Sequence, residues 1–476
     1  MNSIIKSFFL TTITVLVMLL SNSIPMGWYL LPMLIGGVLS LTKIISIFKT
    51  TYYIRNIFFY VWIVFFISAF IAPLIHFSRD YWLPNYVQFS PSNWNILALK
   101  MSTILLYGMG IFIFLEQIKY KPLYQTKKWQ FKNNAKSFVI FFMILSFMLQ
   151  SIYYIKNGGI YGVIRSYTER DNSMEGMGLI FIFSEMFPYL LLLFYFILRR
   201  GKKTSLLNVL VFLSVMFLSA LYFGGFRGSR SNTVLTIFQA VLLIHFTIYR
   251  FNRIHFSAMI AAFFIFMIIG RIYKNEGINF INNPTQYEEY QISQKMSGVE
   301  SIIIGDLSRY KDVCYEIYML ENNPYYELKL GSTYLSSILT FTPLGIPIRD
   351  YLQLTSRTQA ASQLMFDYDG KKRSSFQKNT RIFGFVGEAM FNFGFLSFSL
   401  SFFFLYFLLT ACKRWGDSIS IQDARFYFIP LFPLIAINLI NADSNNLIFF
   451  IVKRIVLMYV IIWFITNKNN DSCIYH

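Results

Sequence analysis

Residues Asn56-Ile-Phe-Phe-Tyr-Val-Trp-Ile-Val-Phe-Phe-Ile-Ser-Ala-Phe-Ile-Ala-Pro-Leu-Ile-His76 contain no Lys, Arg, Asp or Glu. About 20 such residues are what a helix needs to cross the hydrocarbon of a bilayer. Runs of this kind recur near 4–20, 26–42, 56–76, 95–115, 137–155, 178–198, 205–223, 231–249, 256–273, 385–411, 426–441 and 446–465. The sequence therefore reads as an all-α polytopic membrane protein with about 12 transmembrane helices. Composition agrees. Of the 476 residues, 55% are hydrophobic and 14% charged, whereas soluble proteins carry about 25% charged residues. Soluble, disordered and fibrous classes are excluded. The first run could also be a signal peptide, because Lys6 precedes it and Ser21-Asn22-Ser23 follows it.

Lys and Arg in the short loops give the orientation. With the N-terminus inside, the inner segments hold about 20 basic residues in roughly 80, and the short outer loops about six in roughly 60. Both termini are expected in the cytoplasm. The net charge of +19 is then mostly an orientation signal, and no nucleic-acid partner is expected. Three regions follow: 1–273 with helices 1–9, a large external loop over 274–380, and 381–476 with helices 10–12. The loop is long enough to fold. Tyr287 to Leu320 has helical spacing. The piece Gly331-Ser-Thr-Tyr-Leu through Pro343 and Pro347 is too short to span and reads as re-entrant or interfacial. Cys314 alone falls outside and Cys412 and Cys473 inside, so no disulfide is expected. His76, His245, His255 and His476 are scattered, and no metal site is expected.

Ionisable groups at membrane depth are functional suspects. In the outer turn Phe223-Gly-Gly-Phe-Arg227-Gly-Ser-Arg230-Ser-Asn232, two arginines stand at a helix N-terminus. That end favours anions, and each guanidinium can grip a phosphate bidentately. The plainer reading is a tight turn with arginines at the lipid headgroups. Arg381, Glu388 and Asn392 share a helix face by their spacing. There Glu388 is either half of a structural Glu–Arg pair or a base for a sugar hydroxyl. Lys453-Arg454, about two turns from the turn Asn441-Ala-Asp443-Ser, either snorkel or complete a cationic cavity with Arg227 and Arg230. Arg165 and Arg170 in the Gly158 loop, Arg271, Arg349 and Arg357 carry lower weight. Glu185 and Lys100 read as structural. Arginine suits a diphosphate because its planar fork matches the oxygens. An arginine cage could stabilise a departing pyrophosphate without a metal.

With these residues in place, the chain resembles the O-antigen polysaccharide polymerases of the Wzy type. The likeness covers the layout of spans and late external loop. It is carried locally by Gly158-Gly-Ile-Tyr-Gly, Arg227-Gly-Ser-Arg230, Gly331-Ser-Thr-Tyr-Leu and Gly387-Glu-Ala-Met-Phe-Asn-Phe-Gly394. The resemblance implies a metal-independent, cofactor-free glycosyltransferase related in fold to the membrane-embedded O-antigen ligases, in the bacterial inner membrane with its large loop periplasmic. Its donor would be a glycan on undecaprenyl pyrophosphate, its acceptor the non-reducing sugar of a second lipid-linked unit. Besides membrane lipids, a chain-length-determining co-polymerase is the partner expected by analogy. The pyrophosphate role carries over to Arg227 and Arg230, with Lys453, Arg454, Arg381 and Arg271 as further cationic candidates. Glu388 is the first candidate base, followed by Asp443, Asp367 and Asp369. Arg165, Arg170, Asn392 and Arg349 are candidates for positioning the glycan. A flippase would share the substrate but fits a long loop poorly. O-antigen ligases are associated with an external His, which this loop lacks.

Overall fold

The computed structural model describes residues 30–50, 53–80, 82, 94–118, 127–168, 182–227, 230–276, 297–340, 342, 345–366 and 382–470. Among them, ten helices are long and apolar enough to cross a membrane. An eleventh apolar helix, Asn232–Thr247, is shorter. The first expected span, near 4–20, lies outside the described residues. The protein is a helical, membrane-integral chain.

The Ile57–Arg79 span shows how local sequence is absorbed. Asn56 caps it, its side chain accepting the Phe58 N–H at 3.1 Å. Pro73 has no N–H to give to the preceding turn. The backbone widens into a π-turn at Ile67–Ile71 just before it. The helix stops at Asp80, in the left-handed region.

One expected span is divided. The run 385–411 forms a short helix, Gly384–Phe393, and a separate span, Phe395–Asp417. Gly394 stands between them at φ 92°, a conformation that costs glycine little and ends the helix. Glu388 and Asn392 therefore ride on a short helix outside the spans. The Gly158 segment, expected as a loop, is helical over Gly159–Thr168. Val163 on it packs against Tyr153 and Tyr154.

Contacts divide the chain into two compact units. The first comprises Met1–Lys121, Glu300–Lys413 and Ile435–Phe449. In it the late loop is helical: Gly298–Ile302, Tyr310–Asn322, Ser332–Leu339, Gly345–Tyr351 and Arg357–Phe366. Tyr310–Asn322 is moored to the Trp94–Leu115 span. The Tyr310 hydroxyl meets Ser102 Oγ at 2.7 Å and donates to the Ala98 carbonyl at 2.8 Å. Lys100 pairs with Glu321 at 2.5 Å. Tyr315, Met319, Ala361, Leu364, Phe383 and Phe391 then close a small core that seats the Gly384–Phe393 helix.

The second unit comprises Pro122–Val299, Arg414–Leu434 and Phe450–His476. It adds a two-stranded antiparallel sheet that the sequence did not announce. Lys127–Phe131 pairs with Thr466–Asn470, Lys127 opposite Asn470 and Phe131 opposite Thr466. Trp129 is buried, with the Arg425 guanidinium 5.2 Å and the Lys468 ammonium 5.5 Å from its ring centre.

Candidate functional site

In the first unit, Glu388 is fully buried and surrounded by donors. Its Oε1 accepts the Thr333 hydroxyl at 2.8 Å and the Ser444 hydroxyl at 2.5 Å. Its Oε2 accepts the Ser444 backbone N–H at 2.5 Å. Asn392, one turn on, donates to Thr333 Oγ1 at 2.7 Å and accepts the Gly331 N–H at 3.0 Å. That fixes a direction: Asn392 donates to Thr333, which donates to Glu388. Burial raises the Glu388 carboxyl to about 7; the bonds from Ser444 and Thr333 pull it down, and the Asp443 charge pushes it up.

Among the described residues the partners of Glu388 are hydroxyls and a backbone N–H, Arg381 lies outside those residues, and an arginine pairs with Asp443. Arg357 and Asp443, both buried, form an ion pair at 2.8 Å. Asp443 also accepts the Asn446 N–H at 3.1 Å, capping the helix that begins at Ser444. Asp443 thus holds in place the residue that donates twice to Glu388, a positioning role.

Glu316 is a further carboxyl that spacing alone did not single out as part of the site. It is fully buried, and neither of its oxygens has a hydrogen-bond partner among the described residues. It lies on the backbone of Gly387, where any Cβ would overlap its Oε2. Burial pushes it well above the usual carboxylate range, and the Glu388 and Asp312 charges push the same way.

The second unit gathers cations. Lys453 and Arg454 sit in a π-turn, Val452–Val456, of the span Ser444–Phe464, and both are buried. Snorkelling to an interface is therefore not what they do. Lys453 pairs with Glu185, which also accepts from Asn232 at 3.3 Å. Glu185, partly exposed, is thus the ion-pair partner of a buried lysine. Arg454 donates to the Asn232 carbonyl at 3.0 Å, to Asn232 Oδ1 at 2.5 Å and to Thr236 Oγ1 at 3.3 Å. Its guanidinium lies 5.0 Å from the ring centres of both Tyr189 and Phe450. Its Nη1 is buried and has no hydrogen-bond partner among the described residues.

Asn232 is two residues beyond Arg230, at the start of the Arg230–Thr247 helix, and Arg227 closes the 3-10 turn Gly225–Arg227 before it. Arg454 is therefore anchored on the segment that carries the arginine turn. The side chains of Arg227, Arg230, Arg165 and Arg271 lie outside the described ones, although their backbones are helical. Arg170, Arg381, Asp367 and Asp369 lie outside the described residues. Arg349 pairs with its neighbour Asp350 at 3.2 Å on the helix Gly345–Tyr351. Thr333 and Ser444 occur in motifs quoted from the sequence, but nothing in those motifs assigned them to Glu388.

Among the described residues, no three of His, Cys, Asp and Glu come together in a way that could hold a metal ion. Comparison of the chain with protein-family models found no match, and comparisons with curated proteins and with solved structures found none either.

Proposed function

We propose that this protein polymerises lipid-linked oligosaccharide units. It would transfer a growing glycan from undecaprenyl pyrophosphate to the non-reducing end of a second unit, at the outer face of a bacterial cytoplasmic membrane. The observation that carries the reading is Arg454, buried, with one nitrogen unpartnered among the described residues and another bound to Asn232 beside the arginine turn. Cations held in this way suit a polyanionic leaving group. Glu388 supplies the second role. Its carboxylate, reached through the Thr333 or Ser444 hydroxyl, takes the proton of the acceptor hydroxyl. The acceptor oxygen bonds to the anomeric carbon, and the carbon–oxygen bond to pyrophosphate breaks. The electron pair leaves with the pyrophosphate. Both termini inside, about twelve spans in all and a periplasmic late loop complete the proposal.

The glycan profile of a strain lacking the gene tests it. Single repeat units at the surface support a polymerase. Polymer lacking its final attachment indicates a ligase instead, and repeat units accumulating inside the cell indicate a flippase.

A further inference from the structure

The helix Ser332–Leu339 is turned inside out relative to a helix on a soluble protein. Thr333, Ser336 and Ser337 are its buried face. Thr333 donates to Glu388, and Ser337 Oγ lies 2.8 Å from Ser444 Oγ. The opposite face carries Leu335, 44% exposed, and Ile338, 52% exposed. These spacings of three and four residues place hydroxyls on one side and hydrocarbon on the other.

The outer face does not stand alone. Gly331 lies against the Phe393 ring, and Phe393 is 50% exposed. Tyr334 stacks near Phe393 at 6.3 Å and meets Phe385 at 5.8 Å, and Phe385 stacks on Phe404 at 5.5 Å. Phe404 belongs to the Phe395–Asp417 span, whose exposed stripe is Leu396, Leu400, Phe404 and Phe407. In a membrane-integral chain an exposed apolar stripe on a span faces lipid. The apolar face of Ser332–Leu339 continues that stripe, and soluble surfaces rarely leave patches of this kind uncovered.

We infer that the outer face of the Ser332–Leu339 helix is immersed in the acyl chains of one bilayer leaflet, so that the helix separates lipid from the hydroxyl cage of Glu388. Lipid on Leu335 and Ile338 holds Thr333 and Ser337 inward. The inference concerns bilayer lipid and stands apart from the polymerase reading.

Fluorescence quenching tests it on the full chain reconstituted in vesicles of phosphatidylethanolamine and phosphatidylglycerol. Cys412 and Cys473 are replaced by Ser, Cys314 stays buried, and bimane is attached to Leu335→Cys or Ile338→Cys. Leu400→Cys on the span stripe and Asn322→Cys on the exposed end of its helix are the two references. Doxyl-labelled lipid should quench the label at 335 and at 338 as it does at 400, with iodide several-fold less effective. Iodide quenching like that at 322 overturns the inference. Quenching by neither agent does so too, since it means that protein covers the face. The two positions are labelled separately, and each sample is required to run as the parent does on size exclusion. A third label at Phe393→Cys reads the same face from the neighbouring helix.

Discussion

Ser444 donates to Glu388 twice, through its backbone N–H and through its hydroxyl, each at 2.5 Å. The backbone donor survives any side-chain change, so substitution can weaken the cage in steps. If Glu388 is a base, only its carboxylate is active, and activity rises with pH through about 7. Ser444→Ala removes one donor and leaves the carboxylate less favoured, which moves that limb to higher pH. The measurement is the pH dependence of chain elongation on lipid-linked units. A limb that stays in place removes Ser444 from the titration.

Glu388→Gln keeps the shape and loses the charge. It should bind lipid-linked donor as the parent does and elongate chains at least about 100-fold more slowly, the scale of general-base catalysis. Donor binding and single-turnover transfer separate the two effects. Parent-like transfer would reassign the base.

Lys453→Met should destabilise the protein by up to about 3 kcal/mol, because Glu185, mostly covered, then keeps its charge without that of Lys453. The double change Lys453→Met with Glu185→Leu should restore the unfolding temperature in detergent but not chain elongation. Recovery of both would make the pair a packing element only.

Gly387→Ala places a methyl group on the Glu316 carboxyl. It should cost about 1–3 kcal/mol as an overpacked site. Glu316→Ala in the same chain relieves that overlap but not the one with Phe383 Cβ, and should recover part of the loss. Unfolding temperatures of the single and double variants decide it; additive losses would mean the two residues are not in contact.

Trp129→Ala removes a buried ring from beside Arg425 and Lys468. A loss of about 3–5 kcal/mol is expected, read as a lower unfolding temperature with the helical circular dichroism unchanged below the transition. Trp129→Phe should recover most of it.

The helices were legible because hydrocarbon imposes length and apolarity together: Ile57–Arg79 could be read almost to its ends. The break at Gly394 was not, because a glycine within an apolar run has no partner in sequence to announce its φ. The shared face of Glu388 and Asn392 followed from a spacing of four residues. Their partners did not follow, because Thr333, Glu388 and Ser444 are more than 50 residues apart in each case, and hydroxyl residues leave no periodic trace. Glu316 read as one acidic residue on an amphipathic helix, and only the bare backbone of Gly387 shows where it points. Lys453 and Arg454 stood out as charges in an apolar run, whereas the π-turn that carries them did not.

The pairing of Lys127–Phe131 with Thr466–Asn470 also sets a clock. At about 5–20 residues per second, the roughly 340 residues between the strands take on the order of 17–70 s to synthesise. Throughout that interval the first strand emerges, waits and must stay unpaired while later helices enter the bilayer. Within the second unit this pairing therefore forms only after every helix between the two strands has been made. A chain that stops at Phe464 has its helices made, but leaves Trp129 without Lys468 and an open strand edge for quality control to find.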